Sequence, residues 1–238
     1  VDFIDVEQKE IKPQFETLNF DFNEDFNYIK EEETPYNEEE KQHHEKFKMI
    51  EPKCLIHGTY IVGENEDGLY IMDQHAVNER INYEYYMKKL GEDSNLTTDL
   101  LIPIKLEFPS NEYIILKEHF NILDRLHINY EEFGSNTLII RSHPTWIKKG
   151  YEEESLYKIM EVIIHEEDFS IEKFNEKIST TLACKMSIKA NEYVSLDELR
   201  VLIERLRKTE NPFTCPHGRP TIISYSKYEL EKLFKRAM

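Results

Sequence analysis

The chain of 238 residues predicts a mixed α/β (α+β) fold of two subdomains, one of them discontinuous and interrupted by the other. Three observations predict it. A β-rich hairpin followed by a helix begins near Met49. Residues 95–175 then hold a strand, helices and a second hairpin, with enough apolar positions for a core of their own. Beyond about residue 180 the chain returns to helices and one more strand. The expected boundaries are an acidic disordered linker at 1–47, a discontinuous subdomain at 48–94 and 181–238, and an insert at 95–180.

Residues 1–47 carry Glu31-Glu-Glu and Glu38-Glu-Glu with apolar side chains scattered singly, the composition of a solvated segment. Cys54–Val62 and Leu69–Asp73 read as two strands about the turn Gly63–Gly68, whose Asp67-Gly68 pair is a hairpin signal. A helix is expected from about Ala76 to Leu90, with Gly91 placed to stop it. In the insert, Leu100–Phe108 is strand-like, and Ile115, Leu116, Phe120, Leu123 and Leu126 fall at helical spacing between Asn111 and Leu126. Ile128–Phe133 and Thr137–Arg141 flank Gly134-Ser-Asn136 as the second hairpin, and Trp146 is expected in the core. Helical stretches follow near 153–166 and from about 171. Thr180–Asn191 is also helical in character. Ser195-Leu-Asp-Glu198 and Ser226-Lys-Tyr-Glu229 are capping boxes, the first opening a helix with Leu196, Leu199, Leu202, Ile203 and Leu206 on one stripe and the second a helix to Ala237. Thr221–Tyr225 is a strand between them.

The formal net charge is −17 and unevenly distributed. Residues 1–50 carry 15 acidic and 6 basic side chains, a net of −9, against 32 and 24, a net of −8, in the other 188. Neither part has the positive field of an autonomous DNA binder, so any DNA contact has to be local, metal-assisted or supplied by a partner. No apolar run approaches the roughly 20 residues of a membrane span, and no signal peptide opens the chain. The three cysteines, Cys54, Cys184 and Cys215, are odd in number and far apart, which suits free thiols or metal ligands in a reducing, cytoplasmic compartment. A start at Val1 rather than Met reads as a piece of something longer.

Chemistry concentrates at two places. At the junction of strand and helix, Asp73 closes the strand, and His75 and Glu79 are four residues apart, about 40° around a helix and so on one side. Glu84, about 140° further round than Glu79, faces elsewhere and serves the helix. Far along the chain, Cys215 and His217 are one residue apart in a loop stiffened by Pro212, Pro216 and Pro220, and in an extended backbone they point to one side. Each half also has a plain structural meaning, a helix cap at Asp73 and a buried thiol beside a hydrogen-bonded imidazole at Cys215 and His217. Together they form a mixed N/O/S set suited to one zinc and a second, harder ion such as Mn²⁺ or Mg²⁺ on the carboxylates. Cys184, on a helix, reads as a small core residue; Lys185 and Lys189 are spaced to meet a phosphate; Arg219 is a phosphate fork or the partner of a carboxylate.

Asp73-Gln-His-Ala-x-x-Glu79-x-x-x-x-Glu84 resembles the metal-binding endonuclease signature in the C-terminal domain of MutL-type mismatch-repair proteins. Ala183-Cys-Lys-Met-Ser-Ile-Lys-Ala190 is similar to that family's second motif, Cys215-Pro-His-Gly-Arg-Pro220 to its third, and Phe234–Met238 to the end of bacterial homodimeric members. The resemblance covers about residues 49–238. It implies that the discontinuous subdomain dimerises, that the insert is regulatory, and that the domain nicks one strand of duplex DNA during repair. It carries catalytic roles to Asp73 and Glu79, and metal roles to Asp73, His75, Glu79, Cys215 and His217 with Cys184 close by, for Zn²⁺ and for Mn²⁺ or Mg²⁺. Implied partners are a second copy, double-stranded DNA, MutS and the sliding clamp, at the nucleoid. The place matching the family's clamp-docking segment, Thr98–Pro103, presents Leu101, Ile102 and Pro103 but lacks the leading Gln. The family's N-terminal ATPase domain is not among these residues, so no ATP binding is expected of them. The alternative implied by relatives without the acidic signature is a non-catalytic dimerisation and partner-docking module with a structural or regulatory zinc.

Overall fold

The computed structural model describes residues 46–92, 95–165, 170–185 and 194–236. Mixed helices and antiparallel sheets make it α+β. The linker expected at 1–47 lies outside the described residues except for Lys46 and Phe47. Phe47 is already anchored, its carbonyl accepting from Arg207 Nε at 3.0 Å and its ring 6.1 Å from that of Phe213.

The first sheet comprises β1 (Glu51–Ile56), β2 (Tyr60–Glu64), β3 (Gly68–Asp73) and β7 (Ile222–Ser226) in the order β1-β2-β3-β7, all antiparallel. The run expected as one strand over Cys54–Val62 is thus two. His57 and Gly58 both take positive φ (53° and 60°), and Thr59 N donates to Ile56 O, so His57–Thr59 turn the chain between the paired Ile56 and Tyr60. Histidine in a left-handed conformation is uncommon enough that Gly58 was the only visible signal. β3 runs into α1 (Gln74–Gly91), and Gly91 is its last helical residue rather than a left-handed stop; the end is closed by Glu92 N on Lys88 O.

Pleat alternation sets the faces of this sheet. Ile61 and Met72 point inward and pack with Ile50, with Val77 and Ile81 of α1, and with Leu199, Leu202, Ile203 and Leu206 of α6 (Leu196–Arg207). The capping box at Ser195 and Glu198 opens α6 as expected, but Leu196 lies off the buried stripe and is exposed. Gly68 pairs with Ser226, and a Cβ there would meet Tyr225 O at 2.1 Å. Gly68→Ala is therefore expected to lose about 1–3 kcal/mol, the range for overpacking, measured by urea unfolding; an unchanged midpoint would show that β3 and β7 separate freely.

The second sheet, β4 (Thr97–Glu107), β6 (Thr137–Pro144) and β5 (Asn129–Glu132), is antiparallel in the order β4-β6-β5. It packs against α2 (Ser110–Glu118), α3 (Phe120–Arg125), α4 (Glu152–His165) and α5 (Ile171–Lys185) around Phe108, Leu138, Ile140, Leu156, Ile163 and Ile178. The helix expected over 111–126 breaks at His119 (φ −117°, ψ 19°); its buried face holds Tyr113, Leu116 and Leu123, while Ile115 is turned outward. The stretches expected separately from 171 and from Thr180 form one helix, α5, as far as Lys185, and residues 186–191 lie outside the described residues. α5 thereby runs through the boundary expected at 180/181. α1 serves both cores: Val77 and Ile81 face the smaller, and Tyr86 enters the larger with its ring edge-on to Trp146 at 6.1 Å. The last helix, α7 (Lys227–Leu233), starts at its capping box with no buried residue and stops short of the end expected at Ala237: Phe234 N closes on Leu230 O, and Lys235 takes a positive φ of 54°. Among the described residues no helix is long and apolar enough to cross a membrane.

Candidate metal centre

Three distant segments meet at Glu79. α1 places its carboxylate inward, 2% exposed, and His75 Nε2, one turn earlier, reaches Oε1 at 3.0 Å, the contact expected of an i,i+4 pair. The C-terminal end of α5 brings Cys184, whose thiol donates to Oε1 at 3.5 Å. The loop before β7 brings His217 Nδ1 to 3.3 Å and Arg219 to 2.6 Å from Oε2.

That loop is built by local rules. Cys215 N donates to Arg219 O, Gly218 N to Cys215 O, and Gly218 takes φ 81°, so Cys215–Arg219 is a tight hairpin loop rather than the extended run expected from sequence. Cys215 and His217 still approach, with 4.0 Å between Sγ and Nδ1, but across a turn. Thr221 pins the base: its hydroxyl donates to Pro212 O, its amide to Phe213 O, and its carbonyl accepts from Asp73 N at 3.0 Å. Asp73 itself caps α1, Oδ1 accepting from His75 N at 2.9 Å and Ala76 N at 3.1 Å.

Among the described residues, Glu79, Cys184 and His217 offer ligand atoms that all lie within 4.8 Å of one another. A tetrahedral ion with bonds of about 2.0–2.3 Å spaces its ligands by about 3.3–3.8 Å. Cys184 Sγ stands 3.4 Å from His217 Nε2 and 3.5 Å from Glu79 Oε1, inside that range. His75 and Cys215 flank this trio through Glu79 and His217 respectively, while Asp73 stands outside it as the cap. The residues therefore fit a zinc-like ion, with a soft thiol, an imidazole and a carboxylate at ligand spacing.

The electrostatics agree with that fit. Burial works to raise the pKa of the Glu79 carboxyl, but the Arg219 hydrogen bond and the charges of His75, Arg219 and His217 outweigh it and hold the group below the usual carboxylate range. Burial pushes the Cys184 thiol up to about 11, with the Glu79 charge and hydrogen bond adding to the effect. A negative carboxylate beside a thiol that cannot ionise unaided is a pair that a divalent cation would complete.

The remaining predicted residues sort by contact. Arg219 donates to Glu79 Oε2 at 2.6 Å, taking the ion-pair alternative. Lys185 pairs with Glu154 at 3.1 Å, and Lys189 lies outside the described residues. Glu84 accepts from Glu210 N at 2.7 Å and Asn211 N at 3.1 Å, away from Glu79. Leu101 and Ile102 sit fully out in solvent beside Pro103, where β4 breaks register with β6 between Asp99 and Ile104. The sequence reading missed Arg80, which is buried and donates from Nε to Thr214 O at 2.5 Å. Its only sequence signal was the i,i+4 spacing to Glu84, which is also the pattern of an ordinary surface pair.

The family described as MutL C terminal dimerisation domain matches residues 53–194, more than half of the chain. The chain belongs to the MutL C-terminal dimerisation domain family. The DNA mismatch repair protein MutL of Listeria monocytogenes is 44% identical over 229 residues, covering 95% of this chain and 38% of the relative. That of a Geobacillus species is 45% identical over 208 residues (87% and 34%), and that of Bacillus pumilus 45% over 194 (82% and 31%). The chain thus spans only about a third of the length of the MutL proteins it matches, and the match to the family includes α1 and Cys184 but stops short of the Cys215–Arg219 loop.

Proposed function

We propose that this chain is the region of a mismatch-repair MutL that nicks one strand of duplex DNA with the help of a divalent metal. The observation that carries the reading is the convergence of Glu79, Cys184 and His217 at ligand spacing, from a helix, a second helix and a loop remote in sequence. Those three would hold Zn²⁺, with His75 and Cys215 beside them, and Asp73 and Glu79 would serve a Mn²⁺ or Mg²⁺ ion. A bound divalent ion supplies Lewis acidity, polarising a phosphodiester and lowering the pKa of water. The chain's own contribution is orientation. His217, with Nδ1 facing Glu79, turns Nε2 toward Cys184, and Arg219 keeps Glu79 ionised and therefore ready as a ligand.

The net charge of −17 leaves DNA affinity to partners: the ATPase region, MutS and the sliding clamp. Leu101 and Ile102, exposed beside Pro103, suit clamp docking even without the Gln, and action at the nucleoid in the cytoplasm follows from the substrate. We place the second copy on the outer face of the first sheet. Ile56, Tyr60, Ile223 and Tyr225 lie exposed on the outer face of the first sheet beside half-buried Val62, Leu69 and Ile71, and further along the chain Tyr228 of α7 and Phe234 just after it are also exposed. An antiparallel sheet with one face on helices and the other apolar and uncovered is built to be covered.

Two observations favour the non-catalytic alternative: the Asp73 carboxylate is engaged as a helix cap, and both oxygens of Glu79 have partners. Plasmid nicking with Mn²⁺ separates the two. Wild type is expected to relax supercoiled DNA, and Asp73→Asn and Glu79→Lys to lose that activity at least about tenfold, the smallest effect expected for a group acting on the metal. If both variants nick as well as wild type, the catalytic assignment is wrong and the docking module stands.

A further inference from the structure

We infer that Arg80 and Glu84 form a latch that positions the metal-binding loop, which makes Arg80 a positioning residue for the centre; the inference rests on the metal reading above. α1 presents two working sides to the chain that returns after α6. His75 and Glu79 meet its side chains, while Arg80 and Glu84, about 40° apart on the neighbouring side, take hold of its backbone. Glu84 accepts from two amides, Glu210 N at 2.7 Å and Asn211 N at 3.1 Å, just past the end of α6. Arg80 donates to the carbonyl of Thr214, the residue directly before Cys215, at 2.5 Å. The two are linked to each other at 3.6 Å, Arg80 lies over the Tyr83 ring at 5.3 Å, and Asn211 Nδ2 closes the segment onto Thr214 Oγ1 at 3.0 Å.

The consequence is geometric. The pair grips both ends of residues 210–214, and the tight loop Cys215–Arg219 continues rigidly from the gripped end. The separation of His217 from Cys184 and Glu79 is therefore set by α1 itself, not by the loop's own stiffness. Arg80 is buried, so its charge stays in place only while Glu84 and the Thr214 carbonyl answer it. Removing either member frees the loop while both hydrophobic cores stay whole, since neither Arg80 nor Glu84 belongs to them.

The test uses the whole chain with Arg80→Gln, Arg80→Lys and Glu84→Gln. Three readouts are compared: zinc affinity by competition with a chromogenic chelator, the visible spectrum of the Co²⁺ form, and amide hydrogen exchange of residues 210–218 without metal. The expected result is faster exchange in that segment, zinc affinity lower by about 10–100-fold, the range for partners that orient ligands, and a weakened thiolate-to-Co²⁺ band. Arg80→Lys, which keeps a charged donor, should recover most of the affinity. Far-UV circular dichroism should match wild type; if Arg80→Gln does not fold, Glu84→Gln, which keeps shape and one acceptor, carries the comparison. Folded variants with wild-type exchange overturn the latch, and so do variants with opened loops but wild-type zinc affinity. A wild type that binds no zinc, with loops opening as expected in the variants, overturns the metal reading and leaves the latch.

Discussion

Replacing Glu79 with Gln is expected to lower zinc affinity by more than about 100-fold, because it removes the one carboxylate from the ligand trio, and to abolish Mn²⁺-dependent nicking within detection. The substitution keeps the shape of a side chain that is 2% exposed, so the change is one of charge. Wild-type Glu79 is held ionised by Arg219, His75 and His217 against the effect of burial. Gln carries no charge to offset Arg219, and the Cys184 thiolate would be left as the one anion of the trio facing a divalent ion. Arg219 also loses its 2.6 Å contact, but at half exposure water replaces much of it, so only a modest change in unfolding midpoint is expected. Zinc content after dialysis, plasmid nicking and circular dichroism on the same sample give the answer. A Glu79→Gln protein that retains stoichiometric zinc would remove Glu79 from the ligand set and return the site to a structural ion-pair cluster.

Introducing two charges on the outer sheet face, Ile223→Glu with Tyr225→Glu, should convert a dimer into a monomer at micromolar concentration. Both side chains are exposed on β7, opposite Ile71 and Leu69 in the register, and neither enters a hydrophobic core. Charges covered by a second copy without partners cost several kcal/mol, and each 1.4 kcal/mol is a factor of ten in dissociation constant, so a loss of more than about 100-fold is expected. Sedimentation velocity reads the change, and an unaltered circular dichroism spectrum would assign it to association. A double variant that sediments as the wild-type dimer would move the interface to another surface.

Local rules made much of the fold legible. Capping boxes at Ser195 and Ser226, the β-rich apolar run of β3 and 3.6-residue spacing in α4 and α6 are short-range patterns, and the structure contains the elements they predict. The errors fell where one residue's conformation decided the outcome. His57 and Gly58 fold back a run that reads as continuous strand, and His119 interrupts a run that reads as continuous helix. Propensity averages over neighbours and does not register a single left-handed or non-helical residue.

For the centre, sequence spacing alone determined that His75 and Glu79 share a side of α1, that Glu84 faces elsewhere, and that Cys215 and His217 travel together. Those statements follow from helix geometry and chain connectivity, which need no tertiary contact. Only the tertiary structure decided that Cys184 joins Glu79 and His217 at ligand spacing, that Asp73 uses its carboxylate to cap α1, and that Arg219 pairs with Glu79. Each of these depends on where α5 and the loop before β7 dock on α1. That docking is set by Tyr86, Trp146 and the two cores, together with the grip of Arg80 and Glu84 on residues 210–214. Packing of that kind is a sum over many weak contacts from remote segments, and no single spacing in the chain encodes it.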